Sequence, residues 1–134
     1  MTARSFADTN VVVYTLDADP NKRRAAITVM RMHPVISVQV INEFMSVALG
    51  KMKLARPTAN RPAQILIKRC EVFDLTVETV RHAINLGERY QLSHWDALIV
   101  ASALHAGCDT LYSEDLQDGQ VFEDRLKVNN PFAT

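Results

Sequence analysis

Asp96 is a carboxylate inside an otherwise apolar stretch. From 95 to 106 only three side chains are polar, which is typical of a helix buried on most sides. In helical spacing, Asp96 shares its face with Leu92, Ile99 and Val100. A buried carboxylate without a partner is very costly, so such a group is usually paired, bound to a metal or protonated. The alternative is that Asp96 only caps the helix from its first turn, where Asp is favoured.

Three further carboxylates occupy positions from which they can meet Asp96. Glu43 lies within the apolar stripe of the helix predicted over 37–50, although it can also extend from the edge of that stripe into solvent. Asp8 directly follows the first predicted strand, and Asp115 directly follows the fourth. The carboxyl ends of parallel strands share one edge of a sheet, so these acids can converge there.

Four converging carboxylates predict a site for a hard cation. Such groups repel one another and raise each other's pKa unless a cation neutralises them. Oxygen ligands suit Mg²⁺ or Mn²⁺, whereas zinc prefers Cys and His. Mg²⁺ keeps several waters, so the cluster can orient a water for attack on phosphorus. The sequence has no Gly-rich phosphate loop and no Gly-x-Ser-x-Gly motif, which argues against nucleotide-dependent and serine-hydrolase chemistry. The scattered histidines are predicted to be surface or core residues: His33, His82, His94 and His105.

Short strands that alternate with helices must position these acids. Strands are predicted at 5–7, 35–37, 70–75, 109–112 and 126–128, and helices at 19–33, 37–50, 63–69, 76–90 and 93–106. A basic loop is predicted over 51–61, and residues 11–14 favour a strand by local propensity alone. This alternation favours a parallel sheet covered on both faces. We therefore expect one α/β domain over 1–134, with a central parallel sheet of four to five short strands.

The composition predicts a cytoplasmic protein without a membrane span. Hydrophobic residues make up 48% and charged residues 22% of the chain, as in ordinary globular proteins. No apolar run reaches the ~18 residues of a membrane span, and the first residues lack the apolar core of a signal peptide. Two cysteines have neither metal-site nor disulfide-scaffold spacing, which predicts reduced thiols.

Charge is unevenly distributed along a chain whose net charge is zero. Residues 1–69 hold 11 Lys and Arg against 4 Asp and Glu, whereas residues 70–134 hold 4 against 11. Basic groups are therefore available to an acidic partner such as nucleic acid, although each can also be part of a solvated helix face.

The motifs resemble those of PIN-domain ribonucleases. The residues that carry the resemblance are Asp8-Thr9-Asn10, Glu43, Trp95-Asp96-Ala97-Leu98-Ile99 and Ser113-Glu114-Asp115-Leu116. The chain length and the segment 113–120 are most similar to VapC-type toxins of bacterial toxin–antitoxin pairs. The resemblance covers essentially the whole chain. It implies a three-layer α/β/α sandwich, RNA cleavage that depends on Mg²⁺ or Mn²⁺, a homodimer, and a cognate antitoxin that inhibits the active site.

The resemblance also implies roles for individual residues. Metal ligands or water-positioning acids would be Asp8, Glu43, Asp96 and Asp115, and supporting hydrogen bonds would come from Asn10, Ser113 and Thr9. Many family members carry a further acid two residues after the one that matches Asp115, where this chain has Gln117. Whether Asp118, one residue further, assists the metal stays open at this point.

Apolar residues provide an independent argument for the homodimer. They are too numerous for one face of two short helices, which is typical of contact surfaces: Phe44, Met45, Met52, Leu54, Ile65, Leu66 and Ile67.

Two rival functions fit the same sequence. A phosphatase with an aspartyl nucleophile would use Asp8 and would want a second Asp at Asn10, and a phospho-receiver domain would need a suitably placed Lys late in the chain, which we do not find. A catalytically silent module that binds RNA or a protein partner is the other alternative. Formation of a phosphoenzyme would identify the first, and metal-independent RNA binding without cleavage would identify the second.

Overall fold

The computed structural model describes residues 3–133. Positions 1, 2 and 134, which belong to the predicted domain 1–134, lie outside the described residues. The strands are β1 (Ser5–Ala7), β2 (Ile36–Ser37), β3 (Val72–Phe73), β4 (Thr110–Tyr112), β5 (Val121–Phe122) and β6 (Leu126–Asn129). The helices are α1 (Thr9–Tyr14), α2 (Pro20–Met30), α3 (Val38–Leu49), α4 (Arg56–Arg69), α5 (Val77–Tyr90) and α6 (His94–His105). The chain therefore has an α/β fold, in which helices flank a sheet.

The predicted α/β fold is confirmed, and its sheet is mixed but mostly parallel. Four strands are paired in the order β1-β4-β6-β5. The parallel pair β2 and β3 joins them through a bridge between Phe6 and Val35. Among the strands of residues 3–133, only β5 and β6 pair in antiparallel orientation. Strand β5 escaped prediction because it has two residues, and its hairpin turn uses Glu123 and Asp124 at φ +51° and +54° where a Gly-containing signal is usual.

Helix α1 occupies the segment whose local propensity favours a strand. Val11 and Val12 are buried in the core, so tertiary packing outweighs the modest preference of β-branched residues for strands. The Oδ1 atom of Asp8 accepts the backbone N–H of Thr9 at 2.7 Å and caps the helix. The chain therefore turns into a helix directly at the end of β1, and this places Asp8 at the sheet edge.

Helix α4 starts seven residues earlier than the predicted helix 63–69, so the prediction of a loop over 51–61 is wrong for its second half. Pro57 lies in the first turn of α4, where no intrahelical N–H bond is lost. Pro62 lies inside the helix and removes one such bond. Ala59 and Ala63, one turn apart, are buried in the core, and α4 packs against α3. This packing offsets the effect of Pro62.

Helix α6 is buried, as its sequence predicts. All residues from Ala97 to Leu104 are buried, and the helix packs mainly against α5. Ser93 Oγ caps its start by accepting the backbone N–H of Asp96 at 3.2 Å. Asp96 is therefore fixed in the first turn, at the end of α6 that opens to the surface. Within residues 3–133, neither α6 nor any other helix has the length and apolar character that a membrane crossing needs.

The apolar residues that suggested a dimer are largely used by the core of one chain. Phe44 is fully buried, and Met45, Leu54 and Leu66 pack against the core cluster. Ile65 and Ile67 remain exposed. The apolar surplus argument is therefore wrong for most of its residues.

Candidate active site

One pocket of about 310 Å³ gathers all four predicted carboxylates. Its carboxylate and supporting side chains are Asp8, Thr9, Asn10, Glu43, Asp96 and Asp115, and its other lining residues are Val13, Tyr14, Gln39, Val47, Lys51, Trp95 and Ile99. Asp8 comes at the end of β1, and Asp115 comes from the loop after β4. Glu43 lies in the second turn of α3, which follows β2 directly. The pocket thus lies at the carboxyl ends of parallel strands.

Asp8 is the most deeply buried of the acids, with only 4% of its surface exposed. Thr9 N–H donates to its Oδ1 at 2.7 Å, and Ser113 Oγ–H donates to its Oδ2 at 2.8 Å. Burial raises the pKa of Asp8 from 3.8 to about 7, the negative charges of Asp115 and Asp96 add to the rise, and the two hydrogen bonds oppose it. Without a cation, Asp8 is therefore partly protonated near neutral pH.

Asn10 and Ser113 hold Asp115 in place. Asn10 Nδ2 donates to Asp115 Oδ2 at 3.2 Å, while Asn10 Oδ1 accepts the backbone N–H of Glu114 at 3.2 Å. Ser113 Oγ accepts the backbone N–H of Asp115 at 3.1 Å. Because Ser113 also donates to Asp8, one hydroxyl links the acid that follows β1 to the acid that follows β4.

Glu43 is held by one predicted residue and one that the sequence did not reveal. Thr9 Oγ1 donates to Glu43 Oε1 at 2.7 Å. Gln39 Nε2 donates to the same oxygen at 3.4 Å and to the Trp95 carbonyl at 3.2 Å. Gln39 is only 8% exposed, and its Oε1 is buried without a hydrogen-bond partner. The one sequence signal for Gln39 is its position four residues before Glu43, on the same helix face.

Asp96 is half-buried at the pocket wall. Burial raises its pKa, the charges of Asp115 and Glu43 raise it further, and a hydrogen bond with Ser93 opposes these effects. The negative charges of neighbouring acids thus raise the pKa values of both Asp8 and Asp96.

Basic side chains contribute little compensation. Lys51 lines the pocket, but the ion pairs found among residues 3–133 include none of the four acids. Over the same residues, no three His, Cys, Asp or Glu side chains are arranged to hold one ion directly. The acids therefore share a pocket without forming a closed coordination shell.

Two other predictions concern residues outside the pocket. Asp118 lies away from it, and its Oδ1 accepts the backbone N–H of Asn130 at 2.8 Å. Two of the histidines are not scattered, because His82 Nδ1 and His105 Nε2 lie 2.9 Å apart, and His82 Nε2 lies 3.0 Å from Glu123 Oε1. Helices α5 and α6 bring the two histidines together, so the prediction that they are scattered is wrong for this pair.

The chain is thus an α/β protein with an acidic site at the carboxyl ends of its parallel strands. The model of one family of such proteins, the PIN domain, matches residues 5–118. The chain therefore belongs to the PIN-domain family, a family of nucleases. A comparison with curated protein sequences finds no match.

Solved structures of VapC toxins and of toxin–antitoxin complexes share the fold. The DNA-bound VapBC of Salmonella typhimurium is 18% identical with a TM-score of 0.71, and the match covers 97% of this chain and 99% of that one. A toxin–antitoxin complex from Klebsiella pneumoniae is 19% identical, with a TM-score of 0.69 and coverage of 95% and 97%. VapC20 of Mycobacterium tuberculosis, described as a toxin that cleaves the sarcin–ricin loop, is 18% identical, with a TM-score of 0.66 and coverage of 80% and 86%. At these identities the comparison establishes a shared fold and no more.

Proposed function

We propose that this protein is an endoribonuclease that depends on Mg²⁺ or Mn²⁺ and acts as the toxin of a toxin–antitoxin pair. The observation that carries the proposal is the convergence of Asp8, Glu43, Asp96 and Asp115 on one pocket. Burying Asp8 costs free energy unless a cation offsets its charge, and the described residues give it no ion pair. Buried carboxylates with raised pKa values in a pocket are typical of a functional site, and a cation would offset their charge.

The donor set fits a hard cation that keeps part of its water shell. Every acid in the pocket offers carboxylate oxygen, and His and Cys are missing from its lining, which favours Mg²⁺ or Mn²⁺ over zinc. Mg²⁺ is commonly held by one or two carboxylates while waters fill its remaining positions. The open spacing of the four acids is compatible with that mode, in which some acids hold the ion through water.

Each residue then has a role that its contacts support. Asp8, at the end of β1, would be a direct ligand, because Ser113 and Thr9 fix both of its oxygens. Asn10 would hold Asp115, and Thr9 would hold Glu43, at positions that orient a water towards the scissile phosphate. When bound, the ion would lower the pKa of that water and offset the charge of the phosphate.

The proposed toxin role rests on the proteins that share this fold. Structural neighbours from Klebsiella pneumoniae and Salmonella typhimurium were solved as toxin–antitoxin complexes. We propose that this chain likewise forms one cytoplasmic domain that pairs with a cognate antitoxin and forms a homodimer. Co-expression with its cognate antitoxin should then relieve growth arrest caused by the protein alone.

The decisive experiment compares RNA cleavage by the wild type and by Asp96→Asn. With Mn²⁺ or Mg²⁺, the wild type should cleave some members of a panel of structured RNAs. The cleavage rate of Asp96→Asn should be at least 100-fold lower, because the variant lacks a direct or water-mediated metal ligand. This loss corresponds to about 3 kcal/mol of transition-state stabilisation. Asn keeps the shape of Asp in the first turn of α6, where Ser93 is the cap. Near-wild-type cleavage by the variant would therefore leave Asp96 with only a structural role in that turn.

Matched controls separate the rival functions. Asp118→Asn changes a carboxylate outside the pocket and should cleave like the wild type. RNA binding without cleavage under any metal would support the silent binding module. A phosphorylated Asp8 after incubation with a phosphate ester would support the phosphatase.

A further inference from the structure

Trp95 is the sole tryptophan of the chain and is 62% exposed, although it lies in the first turn of a helix whose residues from Ala97 to Leu104 are buried. Its backbone carbonyl is held by Gln39 Nε2 at 3.2 Å, which fixes the first turn of α6. The rings of Trp95 and His94 lie edge to face, with their centroids 5.7 Å apart. A large aromatic side chain is thus presented to solvent on a rigid backbone at the wall of the carboxylate pocket.

A second groove adjoins the carboxylate pocket at Trp95. It measures about 400 Å³, within the range of pockets that bind small ligands. It is lined by Val38, Gln39, Asn42, Glu43, Ser46, Leu75, Trp95 and Leu98. Three of these residues, Gln39, Glu43 and Trp95, also line the carboxylate pocket. The groove and the pocket are therefore neighbouring cavities, one apolar and one acidic, that share a wall.

We propose that this apolar groove is a subsite for one unpaired nucleobase of the RNA substrate, which stacks on the indole ring of Trp95. The inference rests on the proposed function, since it assumes that the scissile phosphate lies at the carboxylates. The base of a nucleotide beside that phosphate then reaches Trp95, because the two regions share a wall. Sites for single-stranded RNA combine aromatic rings that stack bases with cations that meet the backbone. Trp95 and Lys51 supply both along the same pocket.

The lining of the groove also favours a base over a purely apolar ligand. Val38, Leu75 and Leu98 provide apolar walls, while Asn42 and Ser46 are exposed polar side chains at its rim. The amide of Asn42 offers both a donor and an acceptor to the edge of a base. A base in a duplex is already stacked and cannot enter, so the substrate must be unpaired at this position.

The single tryptophan makes the proposal directly measurable. We would titrate Asp96→Asn, which should leave RNA uncut, with a short single-stranded oligoribonucleotide of mixed sequence and follow the Trp95 emission. Stacking of a base on the indole should quench that emission, and the same strand annealed to its complement should quench it far less. Unchanged emission at concentrations where anisotropy shows bound RNA would overturn the proposal.

Substitutions at Trp95 test its contribution to affinity in the same Asp96→Asn background. Trp95→Ala should weaken binding of a labelled single strand about 10-fold, and Trp95→Phe should restore part of the loss because it keeps an aromatic face. Ile84→Ala is the matched control, since Ile84 is a similarly exposed apolar residue on α5 outside both cavities. Thermal melting of each variant verifies that the fold is kept.

The outcomes separate this inference from the proposed function. Cleavage by wild-type protein together with full RNA affinity of Trp95→Ala would overturn the subsite and leave the nuclease intact. Quenching by single strands without cleavage under any metal would support the subsite and reject the nuclease. If Trp95→Ala instead turned a dimer into a monomer with unchanged RNA affinity, the groove would be a contact between two copies, and the base subsite would be wrong.

Discussion

Asp8→Asn should make the metal-free protein more stable at alkaline pH. The pKa of Asp8 lies at about 7 in the folded protein against 3.8 as its ordinary value. Between these values the folded state holds more protons than the unfolded state, so the free energy of unfolding falls as the pH rises. At about 1.4 kcal/mol per pH unit, the full loss above pH 7 is about 4 kcal/mol. Of this, about 3 kcal/mol is lost between pH 5 and pH 8.

The assay is thermal unfolding in EDTA at pH 5 and pH 8. The wild type should melt about 10 °C lower at pH 8, because 1 kcal/mol corresponds to a few degrees in a chain of this size. Asn keeps the shape of Asp and can accept the Thr9 N–H, so Asp8→Asn should fold normally and lose most of this pH dependence. Millimolar Mg²⁺ should raise the wild-type melting temperature more at pH 8 than at pH 5.

Asp74→Asn is the control, since Asp74 is an exposed carboxylate outside the pocket. It should follow the wild-type profile. If Asp8→Asn showed the same slope with pH as the wild type, the burial of Asp8 would not be the source of the pH dependence, and the reasoning would fail.

Three further predictions concern single contacts and assembly. Thr9→Val removes the hydroxyl that donates to Glu43 but keeps the backbone N–H that donates to Asp8. RNA cleavage should therefore slow about 10-fold while the melting temperature stays unchanged, and a normal rate would mean that Thr9 does not position Glu43. Ser102→Ala should raise the free energy of unfolding by about 1 kcal/mol in a denaturant titration, since Ser102 Oγ is buried without a partner; a loss of stability would point to a hydrogen bond at that hydroxyl. Light scattering at micromolar concentration should give about twice the mass of one chain, and a single-chain mass would contradict the homodimer.

The strand ends and the apolar helix made most of the pocket predictable. Asp8 follows a short strand directly, and Asp96 interrupts a run of apolar residues, so each stood out locally. Glu43 stood out because it breaks the stripe of its helix. These signals depend only on the neighbours in sequence, which is why one sequence is enough to find them.

Features that depend on tertiary contacts were harder to predict from the sequence. Gln39 resembles any polar helix residue until the fold brings the Trp95 carbonyl within 3.2 Å of its amide. The start of α4 was hidden by two prolines, which signal a loop unless packing of Ala59 and Ala63 outweighs them. His82 and His105 became neighbours only through the packing of α5 on α6.

The pairing of β1 with β4 has a consequence for synthesis in the cell. Ser5 lies opposite Thr110 in that pairing, so a strand made at the start of translation has no partner until more than a hundred further residues have emerged. Asp8 and Asp115, linked by the Ser113 hydroxyl, meet only at that point. A nascent chain that ends before Asp115 therefore lacks the complete pocket, so any activity of the pocket begins late in synthesis.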